Sequence, residues 1–199
     1  MSEQSRSTKT RRPYRMTARA DQVGQTRTRI VEAAVALHGS VGPARTTVAG
    51  IAERAGVTRL TVYRHFPDDA ALFAACTAHW ASQQEMPDLD AWLSETDPVM
   101  RVRAALTDLY RFYAEAEPML TRSARDRDAL PGFIRDRNEA RDAARVEAVL
   151  TAWPRRERTK SRQALIAHAL AFGTWRSLCL EQGLPSRTAV QAMTRLVSS

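Results

Sequence analysis

The run Thr47-Val48-Ala49-Gly50-Ile51-Ala52-Glu53-Arg54-Ala55-Gly56-Val57-Thr58-Arg59-Leu60-Thr61-Val62-Tyr63-Arg64-His65-Phe66 decides how the rest of the chain is read. Val48, Ile51, Ala52 and Ala55 recur at i, i+3, i+4 and i+7, the period of a helix with one apolar face. Thr46-Thr47 offers an N-cap hydroxyl in front of it. Gly56 stands where a left-handed closing residue is wanted. Thr58 can cap a second helix, Arg59 to Phe66, which Pro67 stops. Two short helices about a glycine turn have the spacing of a helix-turn-helix. Ala52 is small where the helices must approach, and Val57, Val62 and Phe66 can bury against the first helix.

That burial leaves Arg59, Leu60, Thr61, Tyr63, Arg64 and His65 on the N-terminal end and outer face of the second helix. A helix fits the DNA major groove, and its N-terminal residues reach base edges there. Arg donates bidentately to guanine, Thr donates or accepts, and Leu can touch a thymine methyl. Tyr and His can donate to phosphate oxygens.

Working outward, Ile30, Ala33, Ala34, Leu37 and Val41 set one face of a helix from about Gln25 to His38, ended by Gly39-Ser40-Val41-Gly42-Pro43. Asp68 or Asp69 starts another at about Ala70 to Gln84. With these neighbours, residues 26–73 closely resemble the DNA-binding domain of the TetR family of transcriptional regulators. The resemblance lies in Thr46-Thr47-Val48, Ile51 through Thr58, Thr61 through Pro67 and Leu72-Phe73. It covers about a quarter of the chain. It implies a homodimeric DNA-binding protein, usually a repressor, whose helical C-terminal domain dimerises and binds an effector. It also implies roles: Thr47 caps its helix near a phosphate, Arg59, Leu60, Thr61 and Arg64 face bases, and Tyr63 and His65 meet phosphates. One position departs: where the family usually has a Lys at the start of the fourth helix, this chain has Asp69, beside Asp68. Two carboxylates suit a helix N-terminus but repel phosphate. Gly50, inside a helix, carries a cost of ~1 kcal/mol against Ala.

Charge placement agrees. The net charge is +8, and residues 1–66 hold all of it, with twelve Lys/Arg against four Asp/Glu. The remainder is neutral. A basic head on a neutral body suits an anionic partner, nucleic acid above all. Residues 1–23 are polar and basic without apolar period and read as a disordered arm. Its Arg11, Arg12, Arg15 and Arg19 are candidates for phosphate or minor-groove contacts.

The body, residues 70–199, continues with helical period and no strand-like alternation. Helices are expected from Pro98 to about Glu115, from Pro118 to about Arg127, from Pro131 to about Trp153, from Arg158 to Gln182 and from Arg187 to Val197. Residues 86–96 read as a loop with a short helical turn around Trp92. The expected architecture is all-α, about nine helices: an arm (1–23), a three-helix helix-turn-helix domain (24–69) and a helical effector-binding and dimerisation bundle (70–199). In the resembled family large apolar side chains of the middle helices line an effector cavity. Candidates here are Trp80, Trp92, Leu106, Tyr110, Tyr113, Met119 and Phe133, the two tyrosines offering hydroxyl handles. The segment Ala164 to Cys179 is apolar on more than one face and rich in small residues. With a stripe on the last helix it is the expected dimer surface, through Leu165, Phe172, Trp175, Val190, Met193 and Leu196.

Other classes find little support. Cys76 and Cys179 show no disulfide or zinc spacing. His79 and His168 have no metal-ligand spacing, and no nucleophile–base set is evident, so neither enzyme, metal nor cofactor is expected. Asp126, Asp128, Asp136 and Glu139 lie among arginines 122, 125, 127, 135, 137, 141 and 145, which reads as salt-bridged helix faces. No apolar run approaches the ~18 residues of a membrane span, and the first 22 residues are polar and basic, with no apolar signal-peptide segment expected among them. The expected partners are double-stranded DNA, a second copy of the chain and a small-molecule effector, at the nucleoid in the cytoplasm. The competing reading is an architectural nucleic-acid binder without an effector.

Overall fold

The computed structural model describes residues 11–199, with side chains from Ala20 onward. Every regular element among them is helical. Helix α1 spans Arg11–Ser40. It starts well before Gln25, so residues 11–23 are helical where the sequence reads as a disordered arm; residues 1–10 lie outside the described residues. Once the inner half of α1 is docked, each further residue adds a hydrogen bond without a new nucleation cost. The extension carries Arg11, Arg12, Arg15, Ala18, Arg19 and Ala20, which are good helix formers. Pro13 falls in the first turn, where an N–H would have no partner anyway.

Helices α2 (Val48–Ala55) and α3 (Arg59–His65) form the expected pair. Ile51, Ala52 and Ala55 of α2 and Val62 and Phe66 from α3 and its end pack on Ile30, Val31 and Ala34 of α1. Each large apolar side chain buried this way contributes roughly 1.5–3 kcal/mol. Helix α4 (Asp69–Ser82) belongs to both halves of the molecule. Its Leu72 and Cys76 complete the head core, while Trp80 packs on the body core. The boundary expected after residue 69 therefore falls in the first turn of a helix that the head shares.

In the body, the helical turn expected around Trp92 within the 86–96 loop is a short helix, α5 (Leu89–Ser94). Asp88 caps it, its Oδ1 accepting from the amides of Asp90 and Ala91. Trp92 is buried and donates from Nε1 to Asp108 at 2.8 Å. The two helices expected on either side of Pro118 are one, α6 (Pro98–Arg125). An interior proline costs ~3 kcal/mol, chiefly through the lost i→i−4 bond and its clash with that carbonyl. Ala114 and Pro118 are not buried, so the freed carbonyl lies toward water. Val102, Leu106, Leu109, Phe112, Tyr113 and Ala116 meanwhile bury one continuous face.

Helix α7 covers Gly132–Leu150. The long helix expected from Arg158 to Gln182 is broken at Ala171, whose ψ of 139° is extended. The result is α8 (Lys160–Leu170) and α9 (Phe172–Trp175), the latter running into a π-helical turn, Arg176–Glu181. The break strands the last carbonyls of α8. Tyr110 donates its hydroxyl to the carbonyl of Ala169 (3.0 Å), and Tyr113 donates to Leu170 (2.7 Å). Thr174 donates to His168 (2.6 Å). Helix α10 (Ser186–Ser198) lies along α6 and α8, closing the core with Ala189, Val190 and Val197.

Candidate nucleic-acid interface

The recognition segment is fixed by its caps. Thr47 Oγ1 accepts from the amide of Gly50 at 3.1 Å. Gly56 adopts φ 66°, ψ 40°, the left-handed geometry that closes α2, and Val57 N–H reaches back to Ala52. Thr58 Oγ1 accepts from the amide of Thr61 at 3.2 Å and opens α3. Asp68 caps α4 in the same way, accepting from Ala71 at 2.7 Å. This accounts for Asp68, the carboxylate beside Asp69. A Cβ on Gly50 would meet only Thr47 Oγ1 and a Leu37 methyl at ordinary contact distances, so the glycine has no steric reason there.

On that frame α3 turns its outer face to solvent. Leu60 is 79% exposed and Tyr63 50%. Arg59 and Arg64 are exposed too, and among the described residues neither meets a carboxylate within ion-pair distance. Unpaired guanidinium groups beside an exposed leucine and phenol are equipped for groove contacts. Thr61 and His65 are half-buried. The Thr61 hydroxyl shares a hydrogen bond with that of Thr58 (3.0 Å). His65 is held toward its neutral form by burial, then by Arg64 and Arg27. Arg27 of α1 sits over the Phe66 ring, 4.5 Å from its centroid, tying the end of α3 to α1. The side chains of Arg11, Arg12, Arg15 and Arg19 lie outside the described ones.

Three groups at the end of α6 hold the loop between α1 and α2. Arg122 Nε donates to the Ser40 carbonyl (2.7 Å), and Arg125 donates to that of Val41 (2.8 Å). Asp126 Oδ2 accepts from the amide of Ala44 (3.0 Å). Its carboxyl is held down to about 2, first by the hydrogen bond from Arg125. Gly42, at φ 97°, leaves room for this clamp: a Cβ there would collide with Arg125 and Asp126. In the sequence these arginines read as salt-bridged helix faces. Arg125, Arg127 and Arg145 do pair with Asp126, Glu139 and Asp142. Arg122 and Arg135 instead serve backbone carbonyls, and Arg141 serves Asn138. A neighbouring carboxylate in sequence does not say which way a long side chain turns.

Beside the clamp lies a cavity of about 100 Å³ between α1, α4, α6 and α7. Of the expected effector residues, Trp80 and Met119 line it. Trp92, Leu106, Tyr110, Tyr113 and Phe133 do not. The first four are core, and the tyrosine hydroxyls are committed to α8 carbonyls; Phe133 is 42% exposed. His38, Phe73, Asn138 and Arg141 line the cavity and escape a reading of the sequence, because only tertiary packing brings these four helices together. Of the expected dimer residues, Trp175 and Val190 are buried within the protomer's own core. Leu165, Phe172 and Met193 are half-buried and Leu196 is exposed. The free side of α8 carries Ala164, Ala167, His168 and Ala171 instead. Among the described residues no cluster of three metal-ligating side chains occurs, and no helix is long and apolar enough to cross a membrane.

Residues 30–76 match the family model described as bacterial regulatory proteins, tetR family. Over 97 residues the chain is 36% identical to the HTH-type transcriptional regulator TtgR of Pseudomonas putida, covering 45% of this chain and 43% of that protein. The match thus spans less than half of that relative's length. A TetR-like transcriptional regulator from Rhodococcus sp. RHA1 has a similar fold, with TM-score 0.59 and 15% identity over 87% of this chain and 93% of that one. At that identity the likeness concerns the fold alone.

Proposed function

We propose that the chain is a TetR-family regulator, a ligand-responsive repressor acting as a homodimer at the nucleoid, on the match of residues 30–76 to that family's model and the likeness to TtgR. The observation that carries the reading is α3: a short helix, capped at its N-terminus by Thr58, with Arg59, Leu60, Tyr63 and Arg64 exposed and the arginines unpaired among the described residues. Two such helices related by a two-fold axis read half-sites about one DNA turn, ~34–36 Å, apart. The free alanine side of α8, with the outer side of α10, supports self-association, since small residues let helices approach closely. The basic N-terminal segment adds phosphate contacts flanking each half-site. The clamp gives the body a hold on the head, so an effector preferring one body arrangement shifts the population of DNA-competent dimers.

Selection from a random duplex library with the purified chain tests this directly. Enriched pseudo-palindromes with half-sites one turn apart are expected; a pool with no preferred site would overturn it. Arg59→Ala should relax preference at particular base pairs, whereas Tyr63→Phe should weaken all duplexes alike. Equal losses on selected and random DNA for Arg59→Ala would remove Arg59 from the base-reading set.

A further inference from the structure

The cavity beside the clamp has an electrostatic asymmetry that its apolar walls do not account for. Arg137 and Arg141 of α7 border it, and among the described residues lining it none is a carboxylate. Arg141 Nε is buried with no hydrogen-bond partner, and its NH2 group donates only to Asn138 Oδ1 (3.2 Å). The nearby carboxylate of Asp142 is engaged by Arg145 at 3.1 Å. Burial, and then Arg145 as a like-charged neighbour, disfavour the Arg141 cation. A half-buried guanidinium whose Nε is buried without an acceptor is a costly arrangement unless something anionic completes it. The opposite wall is apolar, Phe73, Trp80, Met119 and Leu120, and Leu130 and Ile134 flank the arginines on their own side.

We infer that this cavity binds a small organic monocarboxylate, its carboxylate on Arg141 and its single ring or short alkyl body against Phe73, Trp80 and Met119. This rests on the proposed ligand response and names the ligand's class. At about 100 Å³ the cavity is smaller than the ~150 Å³ that holds benzene, so a single ring or short alkyl chain enters by displacing the unbranched Met119 side chain, which repacks readily. One charge is indicated rather than two, because Arg141 is the inward-lying cation while Arg137 is exposed. The site also touches both sides of the head–body joint. His38 and Pro43 come from the head, and Met119 and Ser123 precede Arg125 and Asp126 on α6.

The test uses the full chain with benzoate and hexanoate against benzyl alcohol and hexanol, read by titration calorimetry and by the fluorescence of Trp80. Binding of an acid about ten-fold or more tighter than its matching alcohol is expected, as a hydrogen-bonded charge contact gives. Arg141→Gln should remove that preference, and Arg141→Lys, which retains the charge and serves if the Gln variant does not fold, should keep most of it. Alcohols binding as tightly as acids, no acid binding at millimolar concentration, or full acid preference in Arg141→Gln would each overturn the proposal. DNA affinity of the unliganded protein is measured separately. Acid binding without any change in DNA affinity would sustain the site while sinking the ligand-response reading.

Discussion

His38 stacks its ring on Phe73, with centroids 4.8 Å apart, where α1 meets the cavity. Burial holds its pKa at about 4, against an ordinary 6.5. The unfolded chain takes up a proton near pH 6.5 and the folded one only near 4. Between those values the unfolded state binds more protons, so stability falls as pH falls. The loss across that window is about 3 kcal/mol at most, by 1.36 kcal/mol per pKa unit. Urea unfolding at pH 7 and pH 4 should show it, and His38→Gln should flatten the difference. An identical pH dependence in the two proteins would assign the effect elsewhere. In sequence His38 is only a histidine near a helix end; that it faces a partner helix is a property of the packing.

At the scale of elements, the ends of helices divide by the range of the forces that set them. Caps are local. Thr47, Gly56, Thr58 and Asp68 act within a few residues of themselves, and each is readable in the chain. The fusion of α6 through Pro118 and the break at Ala171 are not local. The first depends on a continuous buried face that outweighs one missing bond. The second depends on two tyrosines that lie about sixty residues earlier and receive the carbonyls freed at the break. Tyr110→Phe and Tyr113→Phe should each cost about 1–3 kcal/mol, the penalty of leaving a buried carbonyl unsatisfied. Thermal melts of both variants check this; losses near zero would mean that water or another donor takes over.

For the whole molecule, the body's outer surface and the arm carry the remaining expectations. If two chains meet through α8, replacing exposed Ala167 by Arg places four-helix packing and a bulky charge in conflict. Ala167→Arg should sediment as a monomer with its melting temperature little changed, and it should lose operator affinity. A variant that stays dimeric would move the interface off α8. Removing residues 1–20 leaves in place every residue of α1 that is buried among the described side chains, the first being Ile30. The slope of log K against log salt should then shrink by ~0.9 for each phosphate that the segment no longer neutralises. An unchanged slope would show that the N-terminal segment does not touch DNA.

The sequence alone determined the helix-turn-helix, its outward-facing residues and the basic head, because helical period, caps and charge are written within short windows. The candidate cavity and dimer face are legible there only in outline: Trp80 and Met119 border a cavity, while Tyr110, Tyr113, Trp175 and Val190 are core. Which apolar residues enclose a space and which fill one depends on how distant helices pack. So does whether an arginine meets a carboxylate, a carbonyl or neither. Only the tertiary structure could decide that Arg122, Arg125 and Asp126 grip the head and that Arg141 is left short of an acceptor.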